Sequence, residues 1–113
     1  MANVFLDANT LIDVVQGRGD MPFVQALDPH KTYISPLSVH MLCYIEKIRM
    51  PNVSLGGTIS PFEIVDFSRA ILEKSLDGPT NDLEDNIQLH SAAEAECDLF
   101  LTSDRHLLKL GYF

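Results

Sequence analysis

A chain of 113 residues is the size of one compact domain, and 46% apolar with 21% charged residues is a composition that folds. A net charge of −8 argues against a broad basic face for duplex DNA, and no apolar run approaches the ~18 residues that a membrane span needs. No basic-then-apolar leader opens the chain, and the two cysteines, Cys43 and Cys97, lack ligand-like spacing. They read as reduced and buried, which suits a cytoplasmic protein.

The first element is a short apolar strand, Val4 to Leu6, followed at once by Asp7. From Ala8 the spacing of Leu11, Ile12, Val14 and Val15 predicts a helix packed on a sheet. QGRGD breaks that helix with two glycines, and a second short helix is expected from Pro22 to Leu27. DPHK is a turn and TYI a brief strand. Ser35-Pro36 starts the next helix, a capping hydroxyl followed by proline in the first turn, and the pattern carries it to about Arg49. Leu37, Met41, Ile45 and Ile48 form its apolar stripe, which makes Met41 a core residue.

Residues 50–61, with Gly56, Gly57 and two prolines, read as a loop that crosses the sheet edge. FEIVDF is a strand or the entry to a helix over SRAILEKSL, which stops at Asp77-Gly78. NDLEDNIQLHSAAEAEC carries helical spacing and an acidic first turn that suits the helix dipole. DLFLTSD then gives an apolar strand ending at Thr102, Ser103 and Asp104, and RHLLKLGYF closes as a short helix. Strands alternating with helices at both ends of the chain predict an α/β fold, a parallel sheet covered on both faces.

Asp7 and Asp104 each directly follow an apolar strand. Ligands of parallel open sheets bind beyond the carboxyl ends of the strands, so parallel neighbouring strands would let the two acids face one crevice. Asp85, near the start of the helix preceding the last strand, is the best third member. Asp82 and Glu84 share its turn, where caps or solvent-facing charges are the competing roles. Hard carboxylate oxygens of this kind bind Mg²⁺ or Mn²⁺ with several waters retained, and such ions activate water and stabilise charge during phosphodiester hydrolysis. Asn9 and Thr10, and likewise Thr102 and Ser103, are placed either to support these acids or to cap locally.

Arg105 is a candidate phosphate contact, with a solvated salt bridge as its alternative. His30, His40, His90 and His106 form no metal motif, although His106 lies two residues past Asp104. No phosphate-binding or dinucleotide-binding glycine pattern occurs, and nothing places a cysteine beside a base.

Three stretches together resemble a PIN domain, the small metal-dependent ribonuclease fold common among toxins of toxin–antitoxin pairs. They are VFLDANTLIDV from Val4, YISPLSVHMLCYI from Tyr33 and LEDNIQLHSAAEAECDLFLTSD from Leu83, with poor matching through residues 50–80. The resemblance implies a single domain over 1–113 with a three-layer α/β/α fold. It makes Asp7, Asp85 and Asp104 the acidic metal-site residues, supported by Asn9 and Thr102. It further implies Mg²⁺ or Mn²⁺, an RNA substrate, frequent homodimers and often an antitoxin partner.

The sequence departs from that family in two places. Where the family usually carries a glutamate, this chain has Met41, and the chain ends at Phe113 where relatives often add a further short strand. Glu46 is rotated roughly 140° from Met41 on a helix and His40 about 100°, so neither replaces that acid without a change in helix placement. A metal-dependent endoribonuclease, weakened at Met41, is therefore the leading expectation. A non-catalytic PIN-like domain binding RNA or a protein is the alternative, and a phosphatase or receiver-like fold a distant third.

Overall fold

The computed structural model describes residues 2–17 and 27–102 of the chain. Its described elements are β1 (Asn3–Leu6), α1 (Ala8–Val15), β2 (Lys31–Ile34), α2 (Pro36–Ile45), α3 (Val53–Ile59), β3 (Glu63–Ile64), α4 (Arg69–Asp77), α5 (Leu83–Glu94) and β4 (Leu99–Leu101). The expected helix over 22–27 falls almost wholly outside the described residues. The expected closing helix, with Ser103, Asp104, Arg105 and His106, falls wholly outside them.

The four strands form one parallel sheet in the order β3-β2-β1-β4. Phe5 lies opposite Tyr33 on one side and Phe100 on the other. Because side chains alternate across a strand, β1 sends Phe5 to one face and Val4 and Leu6 to the other. Phe5 joins Ile71, Ile87, Ala92 and Cys97 beneath α4 and α5, whereas Val4 and Leu6 join Leu11 and Ile34 on the side of α1. A sheet buried on both faces between two helix layers is the expected α/β/α sandwich.

The start of the β1–β4 pair is pinned by Asp98, whose backbone N–H donates to the Asn3 carbonyl at 2.7 Å. Its Oδ2 accepts from the Asn3 N–H at 2.8 Å. At the same end of the sheet, His30 Nδ1 accepts from the Ala2 N–H at 2.9 Å, which gives this histidine a structural role.

Four expectations need correction. α2 ends at Ile45 rather than Arg49, because Lys47 turns left-handed (φ 56°) and the Ile48 N–H reaches back to the Cys43 carbonyl at 2.9 Å. That is a Schellman closure with lysine at the position glycine usually takes. Residues 53–59 are helix rather than loop. Asn52 starts it, its Oδ1 accepting from the Leu55 N–H at 3.0 Å, and the two glycines stand in open space on a helix with no buried residue.

The stripe on α2 is also misplaced. Its buried positions are Ser38 and Leu42, while Met41 is half-buried and Ile45 exposed. Cys97 is buried as expected, but Cys43 is only half-buried.

Phe5 is fully buried and stacks on Phe100, with ring centroids 5.6 Å apart and planes 7° from parallel. Phe5→Ala is expected to lower unfolding free energy by roughly 3–5 kcal/mol in a urea titration, with Phe5→Leu costing clearly less. Burial, and then the charge of Asp98, pushes the Cys97 thiol up to about 11. At pH 8 only about a thousandth of it is thiolate. A thiol reagent is therefore expected to reach Cys97 on the timescale of unfolding rather than of simple mixing.

Candidate functional site

The strand order fixes where a site belongs. From β1 the chain moves outward through β2 to β3, then returns past β1 to place β4 on its other side. The strand order thus reverses between β1 and β4, and their carboxyl ends are the switch point of the sheet. Asp7 is the residue after β1, and Thr102, half-buried, is the residue after β4.

Asp7 is held there by several bonds. Its backbone N–H donates to the Leu101 carbonyl at 3.2 Å, tying it to the end of β4. It caps α1, with Oδ1 accepting from the Thr10 N–H at 2.9 Å, and it is only 6% exposed. Thr10 Oγ1 donates to the same Leu101 carbonyl at 3.2 Å. Asn9 is exposed on α1, so the hydrogen bond to this carboxylate comes from the Thr10 backbone.

α5 precedes β4 and returns against the strand direction, which brings its first turn to the carboxyl end of the sheet. Asp82 caps it, Oδ1 accepting from the Asp85 N–H at 3.1 Å. Glu84 and Asp85 are half-buried behind it. Burial, then the negative charges of Asp82, Asp85 and Asp7, push the Glu84 carboxyl above its ordinary 4.5. Asp7 and the first turn of α5 therefore act in one electrostatic field. The sequence raised Glu84 as a cap or surface charge; in the structure Asp82 takes the cap and Glu84 is half-buried.

The loop leading into α5 is clamped by Asn86. Its Nδ2 donates to the carbonyls of Ser75 at 2.8 Å and Thr80 at 3.0 Å. Its Oδ1 accepts from Thr80 N–H at 2.9 Å and Oγ1 at 2.6 Å. His90 adds a ring bond at 2.8 Å to the Gly78 carbonyl, which places the proton on Nε2. Deeper on α5, Gln88 Oε1 accepts from the Ser38 hydroxyl of α2 at 3.2 Å.

Asp7, Glu84 and Asp85 offer hard oxygens that repel one another, a donor chemistry that fits a hydrated Mg²⁺ or Mn²⁺. Among the described residues no three acidic, histidine or cysteine side chains gather closely enough to hold an ion alone. Convergence with Asp104, and the position of Arg105, lie outside the described residues. A shallow apolar groove on α4, between Phe67, Leu72 and Leu76, lies apart from these acids.

The architecture is a PIN-like α/β/α fold. It is similar to a toxin–antitoxin complex from Klebsiella pneumoniae, at 22% identity over 96% of this chain and 93% of that one, with a TM-score of 0.74. It is also similar to VapBC2 from Rickettsia felis, solved bound to a DNA fragment from its promoter, at 14% identity over 98% and 95% of the two chains and a TM-score of 0.69. No protein-family model matches the sequence, and neither does any curated protein. At these identities the likeness carries the fold.

Glu84 yields a pH prediction. A carboxyl raised in the folded state contributes its full stability below pH 4.5 and loses it as pH rises through the folded value. Glu84→Gln removes that loss. Urea titrations of the two proteins should nearly coincide near pH 4, and the variant should become the more stable as pH approaches 7.

Proposed function

We propose that this chain is a divalent-metal-dependent endoribonuclease of the toxin type, acting on RNA in the cytoplasm. The observation that carries the reading is the position of Asp7. It is buried at the switch point between β1 and β4 and shares one field with the first turn of α5. The likeness in fold to toxin–antitoxin complexes supports the toxin class and with it an antitoxin protein as partner, and a second copy of the chain is proposed as a further partner.

In this reading Asp7, Asp85 and Asp104 hold Mg²⁺ or Mn²⁺. When bound, the ion supplies an activated water and offsets charge developing on the phosphodiester. The protein's part is placement. The Thr10 N–H orients Asp7, the Asn86 clamp holds the turn bearing Asp85, and the α1 and α5 N-termini favour the negative charge gathered there. Asn9 and Thr102 support the acids, and Arg105 contacts a substrate phosphate.

A second reading rests on Met41. α2 contains no acidic residue, so one wall of the crevice lacks a carboxylate, as in a domain that binds RNA or a protein without cutting.

The test is cleavage of a broad RNA panel with Mg²⁺ or Mn²⁺ and with chelator. Asp7→Asn retains an N-cap side chain, so the fold is kept. Its cleavage rate should drop by on the order of 100-fold or more, and chelator should stop the native protein. Equal cleavage by both proteins would remove the proposed site. RNA binding without cleavage by the native chain would establish the second reading.

A further inference from the structure

Two polar atoms on neighbouring turns of α5 are buried in the core without a use in the reading above. Gln88 is 1% exposed and Ser91 fully buried. Among the described residues neither the Gln88 Nε2 nor the Ser91 Oγ has a hydrogen-bond partner. Buried groups of this kind ordinarily have one, from protein or from ordered water. The other arm of the amide is engaged, since Gln88 Oε1 accepts from the hydroxyl of Ser38, a fully buried residue of α2. Residues three apart are neighbours on a helix, and side chains lean toward its N-terminus, so the Ser91 hydroxyl leans toward the turn of Gln88. Ile87 and Ala92 flank this line of α5 and pack with Phe5, so the line faces the interior.

We infer that the seam between α2 and α5 is a binding site for one ordered water, shared by Gln88, Ser91 and Ser38. The water accepts from the Gln88 Nε2, bonds the Ser91 hydroxyl, and donates to a lone pair of the Ser38 Oγ. Three partners is the usual number for a water enclosed in a protein. Interchanging the oxygen and nitrogen of the amide leaves the site intact, because water donates as well as accepts. The bridge fastens α5 to α2 by polar contacts beside an apolar cluster, and it stands independently of any metal at the crevice.

A crystal structure of the native chain, at a resolution that shows ordered solvent, tests this directly. It should contain a density peak within hydrogen-bond distance of all three side chains. Urea titrations give a second reading from the sign of a stability change. Ser91→Ala leaves the water one partner short and is expected to lower the folding equilibrium constant roughly 5-fold. Gln88→Met keeps the shape of the side chain, and the double variant Gln88→Met/Ser91→Ala should lose less than the product of the two single losses, because both act on one water. In a dry core Ser91→Ala would instead remove an unsatisfied hydroxyl and strengthen folding. A well-ordered map without the peak, a direct Gln88–Ser91 hydrogen bond in that map, or a Ser91→Ala protein at least as stable as the native one would overturn the site.

Discussion

The parallel pairing of β1 with β4 is the constraint on which the rest of the molecule depends. Ninety-odd residues separate the two strands, so their register is a long-range choice, and it is fixed at both ends. Asp98 exchanges two hydrogen bonds with Asn3 where the pair begins, and the Asp7 N–H reaches the Leu101 carbonyl where it stops. A shift by one residue would put Phe5 on the face that holds Val4 and Leu6, and would break the Phe5–Phe100 stack. The register that builds the core is thus the one that leaves Asp7 at the mouth of the crevice.

Gathering acids at that mouth is costly, and the fold offsets the cost with backbone dipoles. Asp7 sits at the N-terminus of α1, and Asp82, Glu84 and Asp85 sit at the N-terminus of α5. Two helices thus direct their positive ends into one small volume. Asp7 and Asp82 also accept backbone N–H groups that the first turns leave unpaired. The Glu84 carboxyl, half-buried in that turn, is pushed upward, first by burial and then by the charges of Asp82, Asp85 and Asp7. Burial and the neighbouring charges together disfavour the ionised form of that carboxyl.

What was legible in the sequence follows from which signals are local. An apolar run marked β1 ahead of Asp7, the stop at Asp77-Gly78 marked the end of α4, and helical spacing with an acidic first turn marked α5, and these elements stand where the patterns put them. Helix ends were less legible because α2 and α5 both close with left-handed residues other than glycine, Lys47 and Glu96. Two adjacent glycines hid α3, since the Asn52 cap that starts it outweighs their poor propensity. The buried face of α2 was misread for a different reason. Ser38 is buried because Gln88, fifty residues away, accepts its hydrogen bond, and no count of apolar residues reveals that partner. Of the proposed acids, strand ends pointed to Asp7 and helix position to Asp85.

The same charge layout constrains how a polyanion would approach. Lys31 lies at the start of β2, the opposite end of the sheet from the crevice, and faces Glu63 at 3.7 Å. On α4, Arg69 faces Glu73 at 2.6 Å and Lys74 faces Glu94 of α5 at 3.9 Å. These basic residues are spent on neighbouring carboxylates rather than arrayed around the acids, in a chain of net charge −8. An RNA phosphate approaching Asp7 and the α5 turn would meet carboxylates that none of these three basic side chains offsets. If the proposed cation binds there, it supplies the charge neutralisation that such a substrate requires, and cation affinity and RNA affinity become coupled quantities.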